Sequence, residues 1–90
     1  MTKKISIHKK TIQEIEESGI NRWPVWTCEV SAFPWEYVEK ESCYLLEGLV
    51  EVTTDEETVR FGAGDFVVFP EELTCRWNVL SPVKKYYQFG

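Results

Sequence analysis

From Trp23 onward the chain alternates apolar and polar residues with a period of two, in runs such as WTCEV, CYLLEG, LVEVTT, TVRF, DFVVF and LTCRWNV. Turn-forming clusters separate them, among them Thr54-Asp55-Glu56 and Gly62-Ala63-Gly64-Asp65. Successive side chains of a strand point to opposite faces, so such alternation marks strands with one face buried. Many short strands at this spacing predict an antiparallel sandwich or barrel. A chain of 90 residues buries only about two-thirds of its unfolded surface and holds one core. Leu45, Val50, Val52, Phe66, Val68 and Phe69 are expected to contribute heavily to it, because the runs around them are too apolar to face water.

The N-terminal segment reads differently. After an Ile5/Ile7 alternation, Thr11 and Glu14 have the spacing of a capping box, Ile12 and Ile15 share a face, and Gly19 supplies a stop. These signals predict one helix of about two turns. The domain is therefore single, 1–90, with 1–22 as a strand and helix cover and 23–90 as the barrel. The acidic run Asp55-Glu56-Glu57 reads as a solvated hairpin turn.

Charge and cysteine usage narrow the function. A net charge of -5 with scattered Lys and Arg argues against nucleic acid, which requires clustered cations. Cys28, Cys43 and Cys75 are three widely spaced cysteines without a CxxC pair, which fits a reduced compartment. No run approaches the roughly 20 apolar residues of a membrane span, and the N-terminus lacks the apolar core of a signal peptide. The expectation is a soluble cytoplasmic protein with no membrane partner.

Two spacings carry more information. Glu41 is followed by six residues and Gly48, and Gly64 by Asp65-Phe66-Val67-Val68-Phe69 and Pro70. In that order they resemble the end of the first and the start of the second motif of the cupin superfamily, G-x5-H-x-H-x(3,4)-E-x6-G and G-x5-P-x-G-x2-H-x3-N. The resemblance runs from about Trp23 to Tyr87. It implies an all-β fold, a single antiparallel β-barrel or jelly roll of the RmlC-like type, with the short helix at its N-terminus. The pattern W-x-Y, E-x-C-Y-L-L-E-G and C-R-W looks like a group of very small single-domain cupins related to the ureidoglycine aminohydrolase cupin domain.

The departures from the motifs are as definite. Trp35 and Tyr37 stand at the two histidine positions of the first motif, while Glu72, Cys75 and Val79 replace glycine, histidine and asparagine in the second. A cupin metal is held by imidazoles and a carboxylate because borderline cations favour nitrogen donors in a rigid frame. Glu41 and Cys75 alone are too few, so no metal and no other cofactor is expected.

On alternating strands the motif positions point inward, so Trp35, Tyr37, Glu41, Cys43, Cys75 and Trp77 are expected to share an interior. Trp35, Tyr37, Glu41, Cys43 and Trp77 are the candidate ligand-binding residues, with Cys75 at the floor. Flat rings can cover a planar or cationic guest while a carboxylate fixes its orientation. A carboxylate inside an apolar barrel must be neutral, paired with a cation, or hydrogen-bonded. Glu41 is the candidate proton-transfer group, and Cys75 the candidate nucleophile. Three function classes follow: a metal-independent binder or enzyme for a small polar or cationic metabolite, a metalloenzyme resembling ureidoglycine aminohydrolase, and a structural or partner-binding protein, with a homodimer as one such assembly.

Overall fold

The computed structural model describes residues 3–90. These form seven strands: β1 (Ser6–Lys9), β2 (Val25–Cys28), β3 (Ser31–Tyr37), β4 (Glu41–Thr53), β5 (Thr58–Gly62), β6 (Asp65–Phe69) and β7 (Leu73–Phe89). Between β1 and β2 lie the helix α1 (Ile12–Ser18) and a 3-10 turn (Ile20–Arg22).

The two long strands organise the rest. β4 and β7 pair antiparallel from Glu41 opposite Phe89 to Thr53 opposite Arg76. On the other side of β4, β6 pairs with Glu41–Tyr44 and β5 with Leu49–Thr53. On the other side of β7, β2 pairs with Val83–Tyr86 and β3 with Leu73–Val79. β1 extends the sheet beyond β6.

The long pair changes register between Leu45 and Val50. Gly48 sits there with φ +110°, and a Cβ on it would lie 2.7 Å from the Pro82 carbonyl oxygen and 2.8 Å from Val83 Cα. Only glycine permits both that conformation and that approach. The strands bend at this point and fold one half of the sheet over the other. Phe61 on β5 meets Phe69 on β6 at 5.9 Å between ring centroids, and Tyr37 on β3 stacks on Phe69 at 4.8 Å. The expected barrel is thus a curled antiparallel sheet. Among the described residues its path, β1-β6-β4-β7-β2 with β3 and β5 as branches, does not close by hydrogen bonds.

Leu45, Val50, Val52 and Phe69 are fully buried, as the runs predict. Phe66 and Val68 are only half-buried. Strict alternation explains this: Asp65, Val67 and Phe69 occupy the inner face of β6, which puts Phe66 and Val68 outside. Phe66 instead packs under the helix with Ile15, Ile20 and Tyr44.

The helix itself begins with the capping box at Thr11 and Glu14 and ends at Gly19 with φ +80°. Ile15 is buried, whereas Ile12 in the first turn is 56 % exposed, so the two do not share one buried face.

The acidic turn is more than solvated. Ile5 N donates to Glu57 Oε2 at 2.8 Å, and Lys3 N donates to Glu56 Oε2 at 3.0 Å. These carboxylates take up backbone donors of the segment before β1 and hold Ile5 in the core.

Candidate functional site

Four strands place one cavity of about 200 Å³ at one end of the curled sheet. Register decides which side chains reach it. On β3, Phe33 lies opposite Trp77 of β7 and Trp35 opposite Cys75. On β2, Trp26 lies opposite Lys85 of β7. Glu41 opens β4, and the end of β7 adds Tyr87 and Phe89. The walls are mostly aromatic. Phe33 stacks on Trp77 with an interplanar angle of 12°, and Trp26 meets Trp77 edge-on. Trp35 is 47 % exposed and contacts Phe33 and Tyr37 through its edges, which makes it part of the mouth.

An ion pair lies in this wall. Lys85 Nζ donates to Glu41 Oε2 at 3.0 Å, and both side chains are about 95 % buried, with 5 % and 4 % exposure. The ammonium also stands 4.6 Å from the Trp77 ring centroid and 4.8 Å from that of Trp26. Two charges removed from water need this much compensation, because their desolvation otherwise outweighs their mutual attraction. Each indole face contributes about 0.5–2 kcal/mol to a desolvated cation. Among the described residues Trp77 Nε1 is buried without a partner, and Glu41 Oε1 has none of good geometry, although the Tyr37 hydroxyl lies close enough to Glu41 to interact with it. Burial, and next the charge of Glu41, raises the Tyr37 phenol far above the usual tyrosine range. It therefore stays protonated and can only donate or accept as a neutral hydroxyl.

Trp35, Tyr37, Glu41 and Trp77 all line this cavity, though Trp35 stands at its exposed mouth and not in the shared interior. Cys43 and Cys75 are buried but do not line the cavity, so Cys75 is not its floor. Burial pushes the Cys43 thiol up to about 12 despite the opposing pull of Lys85, and burial together with Glu41 pushes Cys75 up to about 11. At pH 8 such thiols are thiolate in roughly one molecule in a thousand or fewer. In the native protein we expect a disulfide reagent to modify one cysteine rapidly, Cys28, which is partly exposed. Cys43 and Cys75 should react only on unfolding, and fast stoichiometric labelling of Cys75 would give it the nucleophile's role.

Sequence reasoning missed Lys85, Trp26, Phe33, Tyr87 and Phe89. Lys85 had a signal. With Val83 inward, the period of two puts Lys85 and Tyr87 on the same face, and a lysine in a core register calls for a buried carboxylate.

The EutQ-like cupin domain family matches residues 15–87. The chain belongs to this cupin family. A crystal structure of a DUF861 family protein from Thermotoga maritima is 44 % identical, covers 97 % of this chain and 100 % of its own, and superimposes with a TM-score of 0.91. A putative ethanolamine utilization protein Q from Salmonella typhimurium is 20 % identical over 94 % of this chain and 68 % of its own, with a TM-score of 0.66. The Clostridium difficile EutQ protein is 18 % identical over 92 % of this chain and 66 % of its own, with a TM-score of 0.67. These last two likenesses extend to the fold alone. No curated protein is significantly similar to the chain.

A cupin metal does not fit this EutQ-like cupin. Its motif carboxylate, Glu41, is already paired with an ammonium, Lys85 Nζ at 3.0 Å. Trp35 offers no donor, and Tyr37 keeps its proton. Among the described residues no three His, Cys, Asp or Glu side chains converge as metal ligands. In addition, no helix among them is long and apolar enough to cross a membrane.

Proposed function

We propose that this cupin binds a small, flat, polar metabolite in the aromatic cavity without a metal ion. The observation that carries the reading is the Glu41–Lys85 pair set among indole rings in the wall of the cavity. A fixed ammonium supplies the positive charge that a metal supplies elsewhere. Because Lys85 already neutralises Glu41, a neutral guest suits the site better than a cationic one, which would have to compete with a buried ion pair. The cavity suits a guest about the size of one ring, since an apolar cavity of about 150 Å³ holds benzene.

Tryptophan emission tests this. A guest resting on the aromatic wall, with Trp35 at the mouth, must change the indole fluorescence, and a screen of ureides, amines, sugars and nucleobases should yield a saturable response. Trp35→Ala should weaken that binding about 3- to 10-fold, the value of one aromatic contact of about 0.5–1.5 kcal/mol. Trp23→Phe should leave it unchanged, because Trp23 packs under the helix against Phe66. A silent screen would favour a second reading, in which a partner or second copy covers the mouth. Exposure of Trp35, Val38 and Phe89 supports that alternative. The metalloenzyme resembling ureidoglycine aminohydrolase gains no support from these donors and would require metal-dependent turnover.

A further inference from the structure

We infer that Lys85 captures a one-ring aldehyde in this cavity as a protonated imine, with Glu41 carrying the proton. The inference rests on the cavity reading above and gives its guest a chemical class. Among the described residues that line the cavity Lys85 is the one amine, and a carboxylate able to accept its proton stands 3.0 Å from Nζ. Water holds the ammonium of an exposed lysine. Here Glu41 and two indole faces take that place, the faces with centroids 4.6 Å away at Trp77 and 4.8 Å away at Trp26. A lysine desolvated in an apolar pocket is one of the ways an amine becomes a nucleophile.

The proton is lent and returned. Lys85 Nζ passes one proton to Glu41 Oε2, and the freed electron pair forms a C–N bond to the carbonyl carbon while the carbonyl π pair moves to oxygen. A second proton shifts from nitrogen to that oxygen, which gives a neutral carbinolamine. Glu41 then returns its proton to the hydroxyl, the C–O bond breaks, water leaves, and the nitrogen pair closes the protonated C=N bond. No oxidant or reductant is consumed. The product carries one positive charge on the same nitrogen, beside the same carboxylate and the same indole faces, so the compensation that a buried ion pair requires survives the reaction. The Tyr37 hydroxyl, close enough to Glu41 to interact with it, helps to hold the carboxylate in place. The largely aromatic lining of Trp26, Phe33, Trp77 and Phe89 keeps water, which would hydrolyse the imine, away from the C=N bond.

Benzaldehyde followed by sodium borohydride tests this on the unaltered protein, because hydride reduction of the imine fixes the ring to nitrogen as a secondary amine. Lys84 is the internal standard. It precedes Lys85 on β7, faces the other side of the strand and is exposed. Peptide mass spectrometry should find Lys85 labelled at least about tenfold faster than Lys84. Burial alone would give the reverse order. Isothermal titration with benzyl alcohol, which has the ring and no carbonyl, reads the cavity separately and should give saturable heat. Label on Lys84 and other exposed lysines but not on Lys85, with benzyl alcohol still binding, would overturn imine capture and leave the cavity reading in place. The same labelling pattern with no heat from benzyl alcohol would overturn the inference and the cavity reading together.

Discussion

Lys85→Met should lower the free energy of unfolding by about 3–5 kcal/mol, the cost of leaving a buried charge without its partner. Methionine fills the same stem volume, so packing loss is a small part of the effect. What disappears is the ammonium that donates to Glu41 Oε2 at 3.0 Å and faces Trp26 and Trp77. Glu41 is 3 % exposed, too little for solvent to take the place of that donor. The double variant Glu41→Gln/Lys85→Met removes both charges and should recover most of the loss, since replacing a whole buried pair by neutral groups is often neutral or stabilising. Urea denaturation of the parent, the two single variants and the double variant gives the coupling directly. A loss below about 1 kcal/mol for Lys85→Met would show that Glu41 and Lys85 do not depend on each other.

Gly48→Ala should cost about 3 kcal/mol or more. Two penalties combine: an L-residue at φ +110°, worth about 1–3 kcal/mol, and a methyl group forced to within 2.7–2.8 Å of backbone atoms of Pro82 and Val83. The backbone cannot yield without opening the bend that folds one half of the sheet over the other. Gly19→Ala separates the two penalties. Gly19 shares a positive φ, of 80°, but nothing lies within 4 Å of the point its methyl group would occupy, so the change should cost only about 1 kcal/mol. Similar losses at both glycines, again read by urea denaturation, would mean that the close approach at Gly48 carries no energetic weight.

Gly48 and Lys85 also show what the sequence can and cannot say. Gly48 is legible as a motif glycine because its spacing fixes it relative to Glu41, but its role at the bend shows only in its positive φ and its approach to Pro82 and Val83 of β7. The strands of β4 and β7 are legible because alternation is a property of single segments. Lys85 is harder. Its inward direction follows from Val83, but its partner is 44 residues earlier in the chain, and only the β4–β7 pairing brings them together. Trp26 and Phe33 are hidden for the same reason, since they enter the cavity by register against β7. Cys75 illustrates the opposite error. A motif position gives a direction but not a depth, and here the side chain stops in the core short of the cavity. Phe66 and Val68 look like core by hydropathy, yet the helix makes a second apolar layer on the outer face of β6, where Phe66 packs.

Whether Lys85 holds the place of a metal's charge beside Glu41 is decided by elemental analysis of the protein purified without chelator or affinity tag. Less than about one-tenth of an equivalent of Zn, Mn, Fe or Ni is expected, with no rise in thermal stability when any of these is added, since an ion that bound only the folded state would raise it. One equivalent of such a metal, lost on Glu41→Ala or Cys75→Ala, would contradict a metal-free site.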